Sequence, residues 1–190
     1  MTARGLATVG FALVVFGSFA WATRRFFKMD GPGKSTADAF IRLVAVPAVL
    51  VVLFCVGRDR ASFTLWLVGI LALILSLVLF WSSIWVNRTR PLRFAFCPEP
   101  PTHIMRRGPY ALIRHPIYAS YSMAWSASVL VSGEWWLAVV VALMVAVYYR
   151  EARREERAFL GGPLREQYCD YRRQAGMFMP RPGRVLGWRS

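Results

Sequence analysis

Phe63 to Val86 reads FTLWLVGILALILSLVLFWSSIWV, twenty-four residues without a charge. At about 1.5 Å per helical residue the run reaches roughly 36 Å, more than the ~30 Å hydrocarbon core of a bilayer. In that medium only a helix can bond every backbone group within its own segment. Four more runs are nearly free of charge: Leu6 to Ala22, Leu43 to Val56, Ile117 to Val131 and Trp135 to Tyr149. The whole 190-residue chain agrees, with 56% hydrophobic residues, a mean hydropathy of +0.40 and only 18% charged residues. A soluble domain of this length does not have that composition. The sequence therefore predicts an all-α polytopic membrane protein with about five transmembrane helices. The last two runs are short, about 23 Å each as helices, and read as a hairpin turning at Ser132-Gly133-Glu134. A re-entrant pair is the rival reading.

The formal net charge of +14 raises nucleic-acid binding as a function, but the placement of the charges argues against it. With five spans, one side of the bilayer carries Arg24, Arg25, Lys28, Lys34 and Arg42. To these it adds Arg88, Arg90, Arg93, Arg106, Arg107 and Arg114, and the ten arginines from Arg150 to Arg189. The other side carries Arg4, Arg58 and Arg60. This asymmetry follows the positive-inside rule, putting the amino terminus outside and the carboxyl terminus in the cytoplasm of a cell membrane. Ser18-Phe19-Ala20 loosely suits a signal-peptide cleavage site, but the run is long and basic residues follow it, so it reads as an uncleaved first span. Cys55 lies in a span while Cys97 and Cys169 lie in cytoplasmic regions, so free thiols are expected.

Composition changes at Asn87, where Trp81, Trp85 and Arg88 mark a helix leaving through an aromatic interface. Residues 1–86 read as a three-helix scaffold. Residues 87–190 read as a catalytic half: a connector, the helical hairpin and a cytoplasmic helical cap. Arg, Glu, Tyr, His, Pro and Gly concentrate there at densities that lipid-embedded helices cannot carry. Cys97-Pro98-Glu99-Pro100-Pro101 is a stiff connector, since proline removes donors and constrains its predecessor. Tyr148 to Gln174 is helical in pattern but broken at Gly161-Gly162-Pro163, which predicts two short cytoplasmic helices.

Several common site types do not fit. Gly31-Pro32-Gly33-Lys34-Ser35 ends like a phosphate-binding loop, but Lys28 stands where that motif needs its first glycine. No Gly-x-Gly-x-x-Gly opens a strand-helix unit. His103 and His115 have no metal-ligand spacing around them, and no Gly-x-Ser-x-Gly elbow is present.

Two stretches stand out. In Arg107-Gly108-Pro109-Tyr110-Ala111-Leu112-Ile113-Arg114-His115-Pro116-Ile117-Tyr118, Pro116 suits the first turn of an apolar helix. That holds Arg114 and His115 at a helix amino terminus on the membrane surface, where N–H groups and the dipole attract anions. A functional anion site and an interfacial anchor for lipid phosphates are both open on these residues alone. In Arg150-Glu151-Ala152-Arg153-Arg154-Glu155-Glu156-Arg157, a salt-bridge ladder is the ordinary reading. Glu155 and Glu156, however, point about 100° apart, so one can face a pocket and take an ammonium group while the other faces arginine.

Gly108-Pro109-Tyr110, Arg114-His115-Pro116-x-Tyr118, Glu155-Glu156, Tyr168-x-x-Tyr171 and Pro180, in this order, resemble the isoprenylcysteine carboxyl methyltransferase and phospholipid methyltransferase superfamily. The resemblance covers about the last half of the chain. It implies an S-adenosylmethionine-dependent methyltransferase with the cofactor under a cytoplasmic cap and a lipophilic or prenylated acceptor entering from the membrane. On that resemblance Tyr110, His115, Pro116, Tyr118, Glu155 and Glu156 help bind the cofactor. Arg114, Arg150, Arg153 and Glu156 serve the reaction, with Arg150 or Arg153 near an acceptor carboxylate. Methyl transfer from a sulfonium is an in-line displacement that needs positioning and electrostatics but no metal. The chain departs from the family pattern at Gly161-Gly162-Pro163-Leu164, with one residue more than usual, and at Gln174-Ala175-Gly176. The alternatives are a phospholipid N-methyltransferase-like enzyme, an NADPH-dependent reductase of a lipophilic substrate, and a non-enzymatic lipid-binding membrane protein. Acceptor identity and oligomeric state are not legible in the sequence.

Overall fold

A computed structural model describes residues 2–28, 39, 41–88, 92–93 and 103–181. Its frame is six helices: α1 (Ala3–Phe26), α2 (Val46–Gly57, entered through a π-turn at Ile41–Ala45), α3 (Phe63–Asn87), α4 (Pro116–Ser132), α5 (Leu137–Leu160) and α6 (Arg165–Gln174). Outside the helices, Phe27–Lys28 pairs in parallel with Leu92–Arg93 over two residues. The expected proline-rich connector at 97–101 and the loop at 31–35 lie outside the described residues.

Local signals set the boundaries. The Ser62 hydroxyl accepts from the Leu65 N–H and opens α3. Pro116 occupies the first turn of α4. Gly133 closes α4 in the left-handed conformation at φ 72°, and a Cβ there would sit 2.7 Å from the Ala61 nitrogen, so both the turn and the packing require glycine. The predicted pair of short cytoplasmic helices is corrected in part: α5 continues unbroken from the apolar Leu137 to Leu160, and only α6 is separate. Arg, Glu and Ala are strong helix formers, and no glycine or proline interrupts 137–160.

The helices alternate in direction. At one end Arg4 binds Asp59 at 2.6 Å and the Ala61 carbonyl at 2.8 Å, Thr2 is hydrogen-bonded to Asp59, and Arg58 and Arg60 approach the buried Glu134 at 3.5 and 3.4 Å. The start of α1, the α2–α3 loop and the α4–α5 turn thus meet there. The remaining charged residues described collect at the opposite end.

α3 and α4 pack most extensively. On α3 the buried residues Gly69, Leu73, Ser76, Phe80, Ser83 and Asn87 are spaced alternately four and three apart, with Ile84 beside them, so a single stripe faces the protein. It meets Ser120, Ala124 and Ser128 of α4, whose small side chains allow close approach, and the Ser76 hydroxyl donates to the Ser120 carbonyl at 2.7 Å. Phe16, Phe19, Phe80 and Trp125 fill the centre, with Phe19 and Phe80 ring centroids 4.5 Å apart.

The opposite face of α3 carries Leu67, Val68, Leu71, Ile74, Leu75 and Val78, all exposed, and exposed Leu13, Leu50 and Val139 extend this apolar belt onto α1, α2 and α5. Such a surface requires lipid, not water, around it. Of the helices, α1 and α3 are long and apolar enough to cross a bilayer by length and composition, while α2 is a shorter apolar helix. Of the roughly five spanning helices expected, only these two are long and apolar enough among the described residues. α4 has 17 residues, and α5 is apolar only in its first half.

Candidate active site

The 3-10 turn Gly108–Ala111 delivers the chain to Arg114 and His115, the residues just before α4. A strap from beyond α6 fixes them. Gly176 N–H donates to the Leu112 carbonyl at 3.0 Å, Arg114 N–H to the Gly176 carbonyl at 2.8 Å, and His115 N–H to the Met177 carbonyl at 3.1 Å. Gly176 is obligatory here by close approach, since a Cβ on it would lie 1.7 Å from the Met179 carbonyl oxygen. Tyr171 fastens α6 to the turn by donating its hydroxyl hydrogen to the Tyr110 carbonyl at 2.6 Å. Tyr168 stacks on Phe159 at 4.5 Å. The extra residue at 161–164 therefore leaves both tyrosines buried in the cap.

Onto this frame α5 brings its carboxylates. Arg114 Nε donates to Glu156 Oε1 at 2.9 Å, with both side chains under 10% exposed. His115 lies between the two glutamates, Nδ1 3.5 Å from Glu155 Oε2 and Nε2 3.5 Å from Glu156 Oε1. Tyr118 donates its hydroxyl hydrogen to Glu155 Oε1 at 2.6 Å. Burial alone raises a carboxyl pKa, but the His115 contact and the charge and hydrogen bond of Arg114 outweigh it and hold Glu156 down to about 2. For His115 burial lowers the pKa, yet its contacts with Glu155 and Glu156 overcome that and raise it. Glu156 thus stays an anion beside a readily protonated ring.

The structure brings together Arg114, His115, Pro116, Tyr118, Glu155 and Glu156, and sets Tyr110 beside them, its hydroxyl pKa pushed up by burial and by the Glu155 charge. Arg150 and Arg153 are exposed on α5 and pair with neither glutamate among the described residues. Three participants escaped the sequence reading. Arg172 on α6 reaches Glu156 Oε2 at 3.9 Å, and Phe178 of the strap stands edge-on to His115 with centroids 6.3 Å apart. The third is Glu151, one helical turn before Glu155. Two like charges at i, i+4 repel, so the spacing itself was the available signal.

Glu151 belongs to a second feature, a cavity of about 410 Å³ bounded by α1, α2, α4 and α5. Its body is apolar, and exposed Leu13, Val46 and Leu50 among its walls open it sideways onto the lipid-facing belt. Its polar end holds Thr23, Arg24, Tyr118, Tyr148 and Glu151. Tyr118 stacks on Tyr148 with centroids 5.8 Å apart and an interplanar angle of 9°. Tyr118 is therefore a wall of the cavity and a ligand of the charged cluster at once.

The sequence profile of the phospholipid methyltransferase family matches residues 64–165, just over half of the chain. The chain belongs to this family. It thereby joins the integral membrane isoprenylcysteine and phospholipid methyltransferases, and the apolar helices place it in a membrane accordingly. No curated protein and no solved structure matches the chain. The matched segment runs from α3 through α5 to the first residue of α6, so it contains Tyr110, His115, Tyr118 and both glutamates but stops short of the strap.

The residues present suit a methyl donor of the S-adenosylmethionine type, which this group of enzymes typically uses. Such a donor carries an ammonium, a carboxylate and a sulfonium. The cluster offers a partly exposed carboxylate in Glu155, cationic Arg114 and Arg172, and the faces of Tyr118, Tyr148 and Phe178.

Proposed function

We propose that this family member transfers a methyl group from S-adenosylmethionine to a lipophilic acceptor at the cytoplasmic face of the membrane, with its amino terminus outside and its carboxyl terminus inside. Tyr118 supports this reading most directly: one side chain joins a charged cluster suited to the donor and a cavity that opens toward lipid. The donor supplies an electrophilic methyl group on a positively charged sulfur.

The chain's residues bind and orient. Glu155 receives the ammonium, and Glu156, locked by Arg114, holds His115 and so the start of α4 in place. Arg172 is placed for the carboxylate. Tyr118 and Tyr148 present ring faces that favour a developing and departing positive charge. The strap and α6 exclude water from the cluster, which strengthens each of these interactions. Two forms of the reaction fit the family: a carboxylate acceptor, as the resemblance to isoprenylcysteine carboxyl methyltransferases implies, with Arg150 or Arg153 beside it, and an amine acceptor.

Titrating the purified full chain with S-adenosylmethionine and its demethylated product tests the proposal. Both are expected to bind, with Glu155→Gln weakening each by about tenfold, the size of one lost charge-assisted contact. Binding of neither ligand removes the methyltransferase reading for this chain, and binding of NADPH in their place turns it into a reductase.

A further inference from the structure

The cavity's polar lining is almost entirely satisfied from within. The Thr23 hydroxyl pairs with the Tyr121 hydroxyl at 3.2 Å, the Trp125 indole donates to the Tyr148 hydroxyl at 3.1 Å, and Tyr118 donates to Glu155. Glu151 is the exception. Its side chain is 8% exposed, and its Oε2 has no hydrogen-bond partner among the described residues; Arg154, half-exposed, comes only within 3.8 Å, and the exposed Arg150 acts on it by charge alone. A buried carboxylate oxygen without a donor is costly unless something supplies one.

Arg24, the other charged residue of the lining, is exposed, so water screens its charge while Glu151's acts at short range in a dry wall. We propose that Glu151 selects the acceptor: the apolar cavity takes a hydrocarbon chain with an amine head, and Glu151 receives that head in its protonated form and disfavours a carboxylate. For transfer Glu151 takes the proton, so that the freed nitrogen lone pair forms the N–C bond as the methyl's bond to the donor sulfur breaks and the sulfur leaves as a neutral thioether. This rests on the cavity being the acceptor site of the methyl transfer proposed above. Tyr118 and Tyr148 then face the amine across from Glu155, which puts the nitrogen beside the donor cluster.

The test uses the detergent-solubilised full chain with no methyl donor present, titrated with dodecylamine and with dodecanoic acid of equal chain length. Dodecylamine is expected to bind about tenfold tighter or more, one charge-assisted contact's worth, and Glu151→Gln to abolish that difference. Val49→Trp, which fills the cavity body, should weaken both probes alike. Equal or tighter binding of dodecanoic acid to the unaltered protein overturns the proposal and hands head-group selection to Arg24. So does an amine preference that persists in Glu151→Gln. If that variant does not fold, Glu151→Asp keeps the charge and must keep the amine preference, and losing it counts against the proposal. Binding of the demethylated cofactor by Glu151→Gln is measured in parallel. It depends on Glu155 and Glu156, so its loss in every form of the protein signals failure of the methyltransferase reading and not of the head-group assignment.

Discussion

Glu156 is 4% exposed and ionised, which physics permits only because Arg114 and His115 stand against it. Removing Arg114 leaves that carboxylate buried with only the longer contacts of His115 and Arg172, so Arg114→Met is expected to destabilise the protein by about 3 kcal/mol. Adding Glu156→Gln to it should recover part of the loss, because the stranded charge is then gone. Thermal unfolding of the three variants in detergent checks this, and a double variant no more stable than Arg114→Met refutes the pairing. The same residues fix a pH profile. Glu156 has a folded pKa of about 2 against an ordinary 4.5, so its contribution is complete above 4.5 and is lost as pH falls toward 2. His115 is shifted the other way: its folded pKa is raised from 6.5, so its contribution is complete below 6.5 and is lost as pH climbs through the raised value. Unfolding temperature should therefore plateau between about 4.5 and 6.5 and fall on both sides. His115→Gln should flatten the alkaline limb and move the acid limb to higher pH, since the His115 contact is one of those that hold Glu156 down.

At the level of the elements, the strap at 175–178 matters as much as the helices, since it fixes the backbone of Arg114 and His115. Gly176→Ala places a methyl group on the Met179 carbonyl and must displace the strap. The expected result is a cofactor affinity lower by about tenfold or more, the loss of at least one such contact, with α1 to α5 intact. Titration alongside circular dichroism measures both, and unchanged affinity would show that the strap is ornamental to the site. The sequence disclosed what is local. The charge-free run at 63–86, the glycine turn at 133, the proline before α4 and the adjacent glutamates on one helix all appear where their chemistry predicts. The strap was not legible because its hydrogen bonds join residues some sixty positions apart through backbone groups, which leave no trace in side-chain identity. The continuity of α5 was misjudged for a different reason: the change from apolar to charged at Arg150 is a change of surroundings, lipid to water, and not of backbone preference. Glu151 was hidden by ambiguity, since in a helix crowded with arginine a third carboxylate looks like a surface ion pair until its burial is seen.

Across the whole molecule, charge divides between two ends, and the division is sharper in the fold than in the raw count. Arg4 at one end is matched by Asp59, and Arg58 and Arg60 approach the buried Glu134, so that end is nearly neutralised by its own carboxylates. At the other end the exposed Arg150, Arg153, Arg157, Arg165 and Arg173 crowd onto the ends of α5 and α6, where Arg106 donates to the Gln167 carbonyl. Arg88 lies over the Trp85 ring at 3.8 Å, the pairing expected where a helix leaves the bilayer. Insertion keeps most exposed arginine on the cytoplasmic side, and the proposed orientation, with Thr2 outside and α6 inside, is the one that satisfies this. A green fluorescent reporter fused after residue 190 is expected to fluoresce, and alkaline phosphatase fused before residue 1 to be active, because each works on only one side of the membrane. Reversal of both signals would put the charged cluster on the outer face, away from any cytoplasmic methyl donor. Substituting Arg150, Arg153, Arg154 and Arg157 together by glutamine should weaken the orientation bias without inverting it, since Arg24, Arg25 and Arg88 flank the first and third spans on the same side. A full inversion in that variant would mean that the end of α5, not the first span, decides how the chain enters the membrane.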